Sequence, residues 1–302
     1  MGNDLGTDTS ANQYKNYEVI SKNVHEGLGE FSVCKEHSTN QIILFFESTY
    51  SITNTELART EIQQLEKMNS IKHACRLLDF DITKSKLLCL ENFSLNLVFE
   101  YHMLNLENLA DSDQKGKIPE NEVWLIVSDL LSYLGDLHNM GLEHGDLQPT
   151  NILFNNNRVV KVLSPLIYTT FQNAYDYRLA NEGYKSTFSP ELLESFEHRV
   201  QNPNVDRRKS DIFSLGICLL CLVSNERYYY FYDFNKNIIF FDRIKIKLAD
   251  MIKNGYKEQL FHFINLCLKE NVYDRASLEK LVKLNGLKKV GISGQFWKGG
   301  NY

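Results

Sequence analysis

The sequence predicts an α+β protein in which strands precede most of the helices. Residues 17–46 alternate strand and turn patterns, which predicts three successive strands. Further along, apolar residues at helical spacing predict a helix at 53–70, a long amphipathic helix at 119–139 and a helical run at 215–223. Short strands are predicted at 75–80 and 86–90, and a hairpin at 152–154 and 159–163. Segregation of strands and helices along a chain is typical of α+β folds.

The composition excludes several classes of function. The 302 residues are 43% hydrophobic and 24% charged, which is sufficient for one or two packed domains. A net charge of -5 gives no electrostatic basis for binding nucleic acid or an anionic membrane. No apolar run approaches the roughly 18 residues of a spanning helix, and we expect no secretory signal ahead of the fold.

The cysteines indicate a reducing compartment. Most of the six lie inside apolar stretches, so a cytoplasmic, intracellular protein is expected, and association with a cytoskeletal assembly stays open. Cys218 and Cys221 form a C-x-x-C spacing within the helical run, where core packing is favoured over metal or redox chemistry. The polar segment 1–16 is expected to be a flexible arm. Membrane anchoring by lipidation of Gly2 is not expected, because Gly6 stands where that motif requires Ser or Thr.

Residues 144–153 carry the central motif, His-Gly-Asp-Leu-Gln-Pro-Thr-Asn-Ile-Leu. This segment resembles the catalytic loop of the eukaryotic protein kinases. The resemblance implies a bilobal kinase-like domain at 17–284, with a small β-rich N-lobe at 17–100, a larger helical C-lobe at 103–284 and a C-terminal tail at 285–302. It also implies that Asp146 takes the proton of the substrate hydroxyl and that Asn151 holds a metal ion. Ordering of the loop by Asp146 is the favoured alternative to catalysis.

Several positions depart from the kinase pattern around the expected ATP cleft. Phe46 occupies the position of the lysine that pairs the ATP phosphates, and Leu44 that of the alanine beside adenine. By the same resemblance Phe99 is a large gatekeeper and Glu100–His102 is the hinge. The degenerate cleft is therefore expected to be lined by Gly27, Gly29, Leu44, Phe46, Phe99, Glu100, His102 and Leu153.

The metal-binding motif is also changed. The hairpin after the catalytic loop should end in Asp-Phe-Gly, and the chain has Ser164-Pro165-Leu166 there. A hydroxyl is a poor ligand for a hard dication that favours carboxylates, so no metal site is expected.

Fold-keeping motifs of the family are present in the second half. Ser189-Pro190-Glu191 resembles the Ala-Pro-Glu motif, and residues 210–216 resemble the central helix of the kinase C-lobe. By that resemblance Asp211 accepts hydrogen bonds from the catalytic-loop backbone, and Glu191 forms a buried ion pair with Arg275. His144 is expected to have a structural role.

An aromatic run outside the family pattern is a candidate interface with a protein partner. It comprises Tyr228, Tyr229, Tyr230, Phe231 and Tyr232, and local packing is an equally weighted alternative. Protein partners are expected, and membership of a larger assembly stays open.

These patterns predict a pseudokinase, an inactive kinase-like domain that acts as a scaffold or allosteric partner. No cofactor is expected, although ATP without magnesium stays open. The alternative is an atypical Ser/Thr kinase that uses MgATP, with Lys22 or Lys35 in place of the missing lysine.

Overall fold

The computed structural model describes residues 16–25, 29–51, 55–87, 90–112, 117–164 and 173–289. Its strands are β1 (Tyr17–His25), β2 (Gly29–Glu36), β3 (Ile42–Ser51), β4 (Leu77–Leu87), β5 (Leu90–Glu100), β6 (Leu104–Asn105), β7 (Ile152–Phe154), β8 (Val160–Val162), β9 (Tyr232–Asp233) and β10 (Ile238–Ile239). Its helices are α1 (Thr55–Met68), α2 (Leu106–Ser112), α3 (Glu120–Asn139), α4 (Ala174–Ala180), α5 (Pro190–Glu197), α6 (Arg207–Ser224), α7 (Phe241–Lys253), α8 (Glu258–Cys267) and α9 (Leu278–Lys289).

The described residues divide into two compact units, as in a bilobal kinase fold. The first contains the chain up to Met103 together with residues 164–184, and the second contains residues 104–163 and the chain from Lys185 onward. Residues 164–184 therefore belong with the first unit, although the sequence placed them within the C-lobe.

A five-stranded antiparallel sheet forms the first unit, in the order β1-β2-β3-β5-β4. Side chains alternate between the two faces of a strand, so pairing register decides which residues meet. One face carries the buried cluster of Cys34, Ile43, Phe45 and Val98. The opposite face carries the residues that alternate with these, including Leu44 and Phe46.

The second unit is mainly helical and is built around α6. Fourteen consecutive residues of α6, Ser210–Val223, are buried, so the helix is enclosed on all sides. Asp206 caps its N-terminus by accepting a hydrogen bond from the Lys209 amide, and Asn225 ends it in the left-handed conformation. Cys218 and Cys221 are both buried within α6, so this C-x-x-C pair is part of the core, and burial raises the pKa of both thiols.

Two sequence boundaries need correction. A short strand predicted at 86–90 is wrong, because β4 and β5 form one long hairpin in which Leu87 pairs with Leu90. The last helix, α9, continues to Lys289, beyond the predicted start of the tail at 285. Among the described residues, no helix has the length and apolar content needed to cross a membrane.

Candidate active site

Asp211 on α6 fixes the catalytic-loop segment by hydrogen bonds to its backbone. The carboxylate of Asp211 accepts hydrogen bonds from the backbone amides of His144, at 2.9 Å, and Gly145, at 2.8 Å. A ring nitrogen of His138 lies 3.2 Å from the same carboxylate. Asp211 is 1% exposed, so these are charge-assisted bonds in a dry environment. The predicted role of Asp211 is confirmed.

The imidazole of His144 connects this segment to the strand hairpin. Its Nδ1 accepts a hydrogen bond from the Asp146 amide at 3.1 Å, so the hydrogen of the neutral ring is on Nε2. That Nε2–H donates to the carbonyl of Leu163 at 3.1 Å. Burial lowers the pKa of His144, because desolvation penalises the charged ring.

The carboxylate of Asp146 is already surrounded by donors from its own unit. Ser186 donates to Oδ1 at 2.5 Å, and the side-chain amide of Asn151 donates to Oδ2 at 3.0 Å. Gln148 places its Nε2 at 3.4–3.5 Å from the two oxygens. Asp146 is 1% exposed. This arrangement orders the loop whether or not a substrate is present.

Asn151 keeps one acceptor free of protein hydrogen bonds. Its Nδ2 donates to the Asp146 carbonyl at 2.9 Å as well as to the carboxylate, which fixes the orientation of the amide. The remaining Oδ1 is buried and has no hydrogen-bond partner. An amide oxygen of this kind can accept a hydrogen bond or coordinate a cation, so Asn151 still offers one ligand atom.

Gly145 adopts a conformation that suits glycine. Its φ is +72°, in the left-handed region, and a Cβ built there would meet nothing within 4 Å. The catalytic loop of protein kinases has arginine at this position, and that arginine would have room here but would adopt a strained backbone.

In the first unit, the position of the missing lysine is filled by an aromatic cluster. The ring of Phe46 lies 5.7 Å from that of Phe31 and 5.8 Å from that of Phe99, measured between centroids. Phe46 is 2% exposed and Phe99 is not exposed at all. Leu44 lies on the same face, because it pairs with Phe99 in the sheet. The local environment is apolar, as it would not be around a phosphate-binding cation.

The two lysines considered as replacements do not reach this cluster. Lys22 pairs with Ser32, which lies on the opposite face of the sheet. Lys35 shares the face of Phe31 but is four residues away along β2, about 13 Å at the usual rise of a strand. The sheet register therefore argues against substitution of the lysine by either residue.

The remaining cleft positions are described in part. Gly27 lies outside the described residues, and Gly29 begins β2 opposite His25. Leu153 is buried in β7, whereas Glu100 and His102 lie beside each other at the end of β5. The Glu100 amide donates to the Arg76 carbonyl at 3.0 Å, so the first hinge position is tied to the loop before β4.

Ser164 occupies the position of the metal-binding aspartate. It is 2% exposed, and its hydroxyl donates to the sulfur of Met68 at 3.5 Å. Magnesium in kinase-like sites is held through carboxylates, and this position supplies none. Ser164 therefore does not fit the magnesium of MgATP, because its hydroxyl does not replace the carboxylate ligand. Pro165 and Leu166 lie outside the described residues.

The predicted Glu191–Arg275 ion pair is present. The guanidinium donates to both carboxylate oxygens, with N–O distances of 2.7 Å and 2.9 Å. Arg275 is buried and also donates to the carbonyls of Lys209 and Lys269, so every nitrogen of its guanidinium group has an acceptor.

The candidate interface needs correction. Tyr228, Phe231 and Tyr232 are buried. The hydroxyls of Tyr228 and Tyr232 donate to the backbone carbonyls of Lys185 and Phe188, respectively. For these three residues local packing is the correct interpretation. Tyr230 is half-buried against Arg243, and Tyr229 remains 48% exposed.

Comparison with known proteins agrees with this arrangement. The sequence pattern of the family described as "Protein kinase domain" matches residues 20–285. The match covers most of the chain, which therefore belongs to the protein kinase domain family.

Individual relatives are distant. A probable protein kinase of Dictyostelium discoideum is 32% identical over 39% of this chain and 30% of its own length. The serine/threonine-protein kinase nekl-2 of Caenorhabditis elegans is 26% identical over 70% of this chain and 58% of its own length. The serine/threonine-protein kinase Tao of Drosophila melanogaster is 27% identical over 62% of this chain and 17% of its own length. The chain thus matches less than two thirds of the length of each.

Proposed function

We propose that this protein is a pseudokinase, a kinase-fold domain that does not transfer phosphate and acts as a scaffold or allosteric partner. The observation that carries the proposal is Phe46, which is packed against Phe31 and Phe99 where a kinase needs an ammonium group. Phosphoryl transfer depends on positioning and charge neutralisation, and a phenyl ring supplies neither for a phosphate.

Ser164 supports the same function through a different part of the chemistry. A kinase without its metal-binding carboxylate cannot neutralise the charge that develops on the phosphates. Two positions that carry a charge in active kinases are thus uncharged in this chain. The ion pair of Glu191 and the hydrogen bonds of Asp211 are nevertheless present, which fits a protein that keeps the fold without the reaction.

The competing candidate is an active, atypical Ser/Thr kinase. It is favoured by the free acceptor of Asn151 and by the retained position of Asp146 beside it. Under this candidate MgATP binds and protein hydroxyls are phosphorylated. Under our proposal no cofactor is required, and if ATP binds, it binds without magnesium.

Thermal melting of the purified protein with ATP, with and without magnesium, separates these functions, because a ligand of the folded state raises the midpoint. The proposal expects no magnesium-dependent rise and no transfer of labelled phosphate. A magnesium-dependent rise together with transfer that Asp146→Ala abolishes would overturn it.

The exposed part of the aromatic run is where we look first for a protein partner within a larger assembly. Tyr229 is half-exposed beside the buried Tyr228, so a partner would meet a rigidly supported ring. We also place the protein inside the cell, where the buried cysteines that form no disulfide, Cys34, Cys75, Cys218, Cys221 and Cys267, stay reduced.

A further inference from the structure

Three potential metal ligands meet where β5 ends. Cys75 precedes β4, Glu100 is the last residue of β5, and His102 follows it by two residues. One ligand atom from each side chain lies within 4.8 Å of the other two. This is the only such group of three among the residues that the structure describes.

The histidine supplies a second, independent observation. The side chain of His102 is 10% exposed, and its Nε2 is buried without a hydrogen-bond partner. Buried polar side-chain atoms nearly always have a partner. A buried ring nitrogen without one, close to a carboxylate and a thiol, therefore indicates a ligand such as a metal ion. Glu100 Oε1 lies 3.5 Å from Nε2, at the outer limit of hydrogen-bond distance, and the two atoms do not form a hydrogen bond.

We propose that Cys75, Glu100 and His102 bind one zinc ion. A thiolate, an imidazole and a carboxylate are the ligand types that zinc takes in tetrahedral sites, and a water molecule would complete the four. With bonds of about 2.0 Å to nitrogen and oxygen and about 2.3 Å to sulfur, neighbouring ligand atoms in a tetrahedral site lie about 3.3–3.5 Å apart. The 3.5 Å between Nε2 and Oε1 is close to this spacing, and the thiol sulfur lies within 4.8 Å of the other two ligand atoms.

The surroundings already orient two of the ligands. The Arg76 amide donates to Glu100 Oε1 at 3.0 Å, and the Arg76 side chain lies 3.4 Å from Oε2. The Cys75 thiol lies 3.4 Å from the Glu100 carbonyl, which places its sulfur beside the end of β5. Such supporting contacts hold ligands in position before an ion arrives. Bound zinc would tie the loop before β4 to the segment that follows β5.

Zinc titration of the full-length protein, stripped of metal by a chelator, tests this proposal. We expect one equivalent to bind and to raise the melting temperature, with no comparable rise from magnesium, which prefers oxygen ligands. Cobalt(II) in place of zinc should give the absorption of a thiolate-bound tetrahedral ion.

Variants of the ligands decide whether this is the site. Cys75→Ser and His102→Ala should each weaken zinc binding by at least about 100-fold, more than loss of an outer-shell partner usually costs. Cys75→Ser should also abolish the thiolate-to-cobalt absorption. His262→Ala, at an exposed histidine of α8, and Cys34→Ala, at a buried thiol of the same sheet, should bind as the parent does.

Each outcome is decisive. Absence of stoichiometric zinc binding would overturn the proposal, and so would full affinity in either ligand variant. The Nε2 of His102 has no hydrogen bond to lose, so His102→Ala should fold and melt close to the parent without metal. The zinc result does not depend on nucleotide binding, so it can fail while the pseudokinase proposal stands, and the reverse also holds.

Discussion

The ring of Phe46 meets the ring of Phe99 edge-on, with centroids 5.8 Å apart and an interplanar angle of 85°. The two residues come from neighbouring strands, β3 and β5, and both are buried. Edge-to-face pairs of this kind add about 0.5–1.5 kcal/mol beyond the burial of their area. The position that binds phosphate in active kinases therefore stabilises the sheet in this protein.

Restoring the lysine should damage the fold before it restores any activity. Phe46→Lys places an ammonium group in an apolar cluster, and an unpaired buried charge costs several kcal/mol. Phe46→Met is a matched control of similar length without charge, and it should cost less, in the range of about 1–3 kcal/mol. Urea unfolding of both variants measures the difference. If the two variants had equal free energies of unfolding, the ammonium group would have to be solvated or paired with an anion, and the apolar environment described for Phe46 would be wrong.

Loss of the arginine of the buried ion pair should be among the most destabilising changes in the second unit. Arg275→Met leaves Glu191 without its partner and removes donors from three carbonyls, so we expect a loss of about 3–5 kcal/mol in the free energy of unfolding.

The exposed pair Lys253–Asp250 is the control for that loss. Asp250→Asn should change the stability by no more than about 0.5 kcal/mol, because exposed ion pairs contribute little. If both substitutions cost the same, the Glu191–Arg275 pair is not the anchor that its geometry indicates.

Asp146 should matter for stability in the absence of any substrate. Asp146→Ala removes the acceptor of Ser186 and of the Asn151 amide, which leaves buried donors unpaired at about 1–3 kcal/mol each. Chemical unfolding of the apo protein measures this loss. Ser186→Ala is the milder comparison, because it deletes a donor and leaves Asn151 bonded to the carboxylate. A stable Asp146→Ala variant would indicate that this residue is retained for chemistry.

His144 should make the protein less stable in mild acid. Its pKa is lowered in the folded state from 6.5, so the unfolded chain takes up the proton first as the pH falls. The contribution to stability is complete above about pH 6.5 and is lost below it, at up to about 1.4 kcal/mol per pH unit.

His144→Gln separates this effect from the titration of carboxylates elsewhere. The variant should lack the part of the pH dependence between pH 7.5 and 5.5 that belongs to the imidazole. Parallel stability curves for the parent and the variant in that interval would show that His144 does not contribute.

Much of the architecture follows from local sequence pattern. The three N-terminal strands, the helices α1 and α3, and the β7–β8 hairpin were predicted close to their observed bounds, because each has a clear apolar period and polar or turn-forming flanks. The strand predicted at 86–90 failed for the complementary reason. The chain reverses there within an apolar run, without the glycine, proline or asparagine that usually identifies a turn.

The sequence by itself determined that Phe46 and Ser164 carry no charge, because charge is a property of the residue type at a position. It also identified Asp211, Glu191 and Arg275, whose spacing follows the family pattern. Only the tertiary structure decided which of the tyrosines 228, 229 and 232 are buried, since an unbroken run of aromatic residues has no periodicity that assigns an inner face. The meeting of Cys75 with Glu100 and His102 is likewise tertiary: it depends on how the segment before β4 is held against the end of β5, although Cys75 and Glu100 are 25 positions apart in the chain. Burial and proximity are relations between distant segments, and no single stretch of sequence contains them.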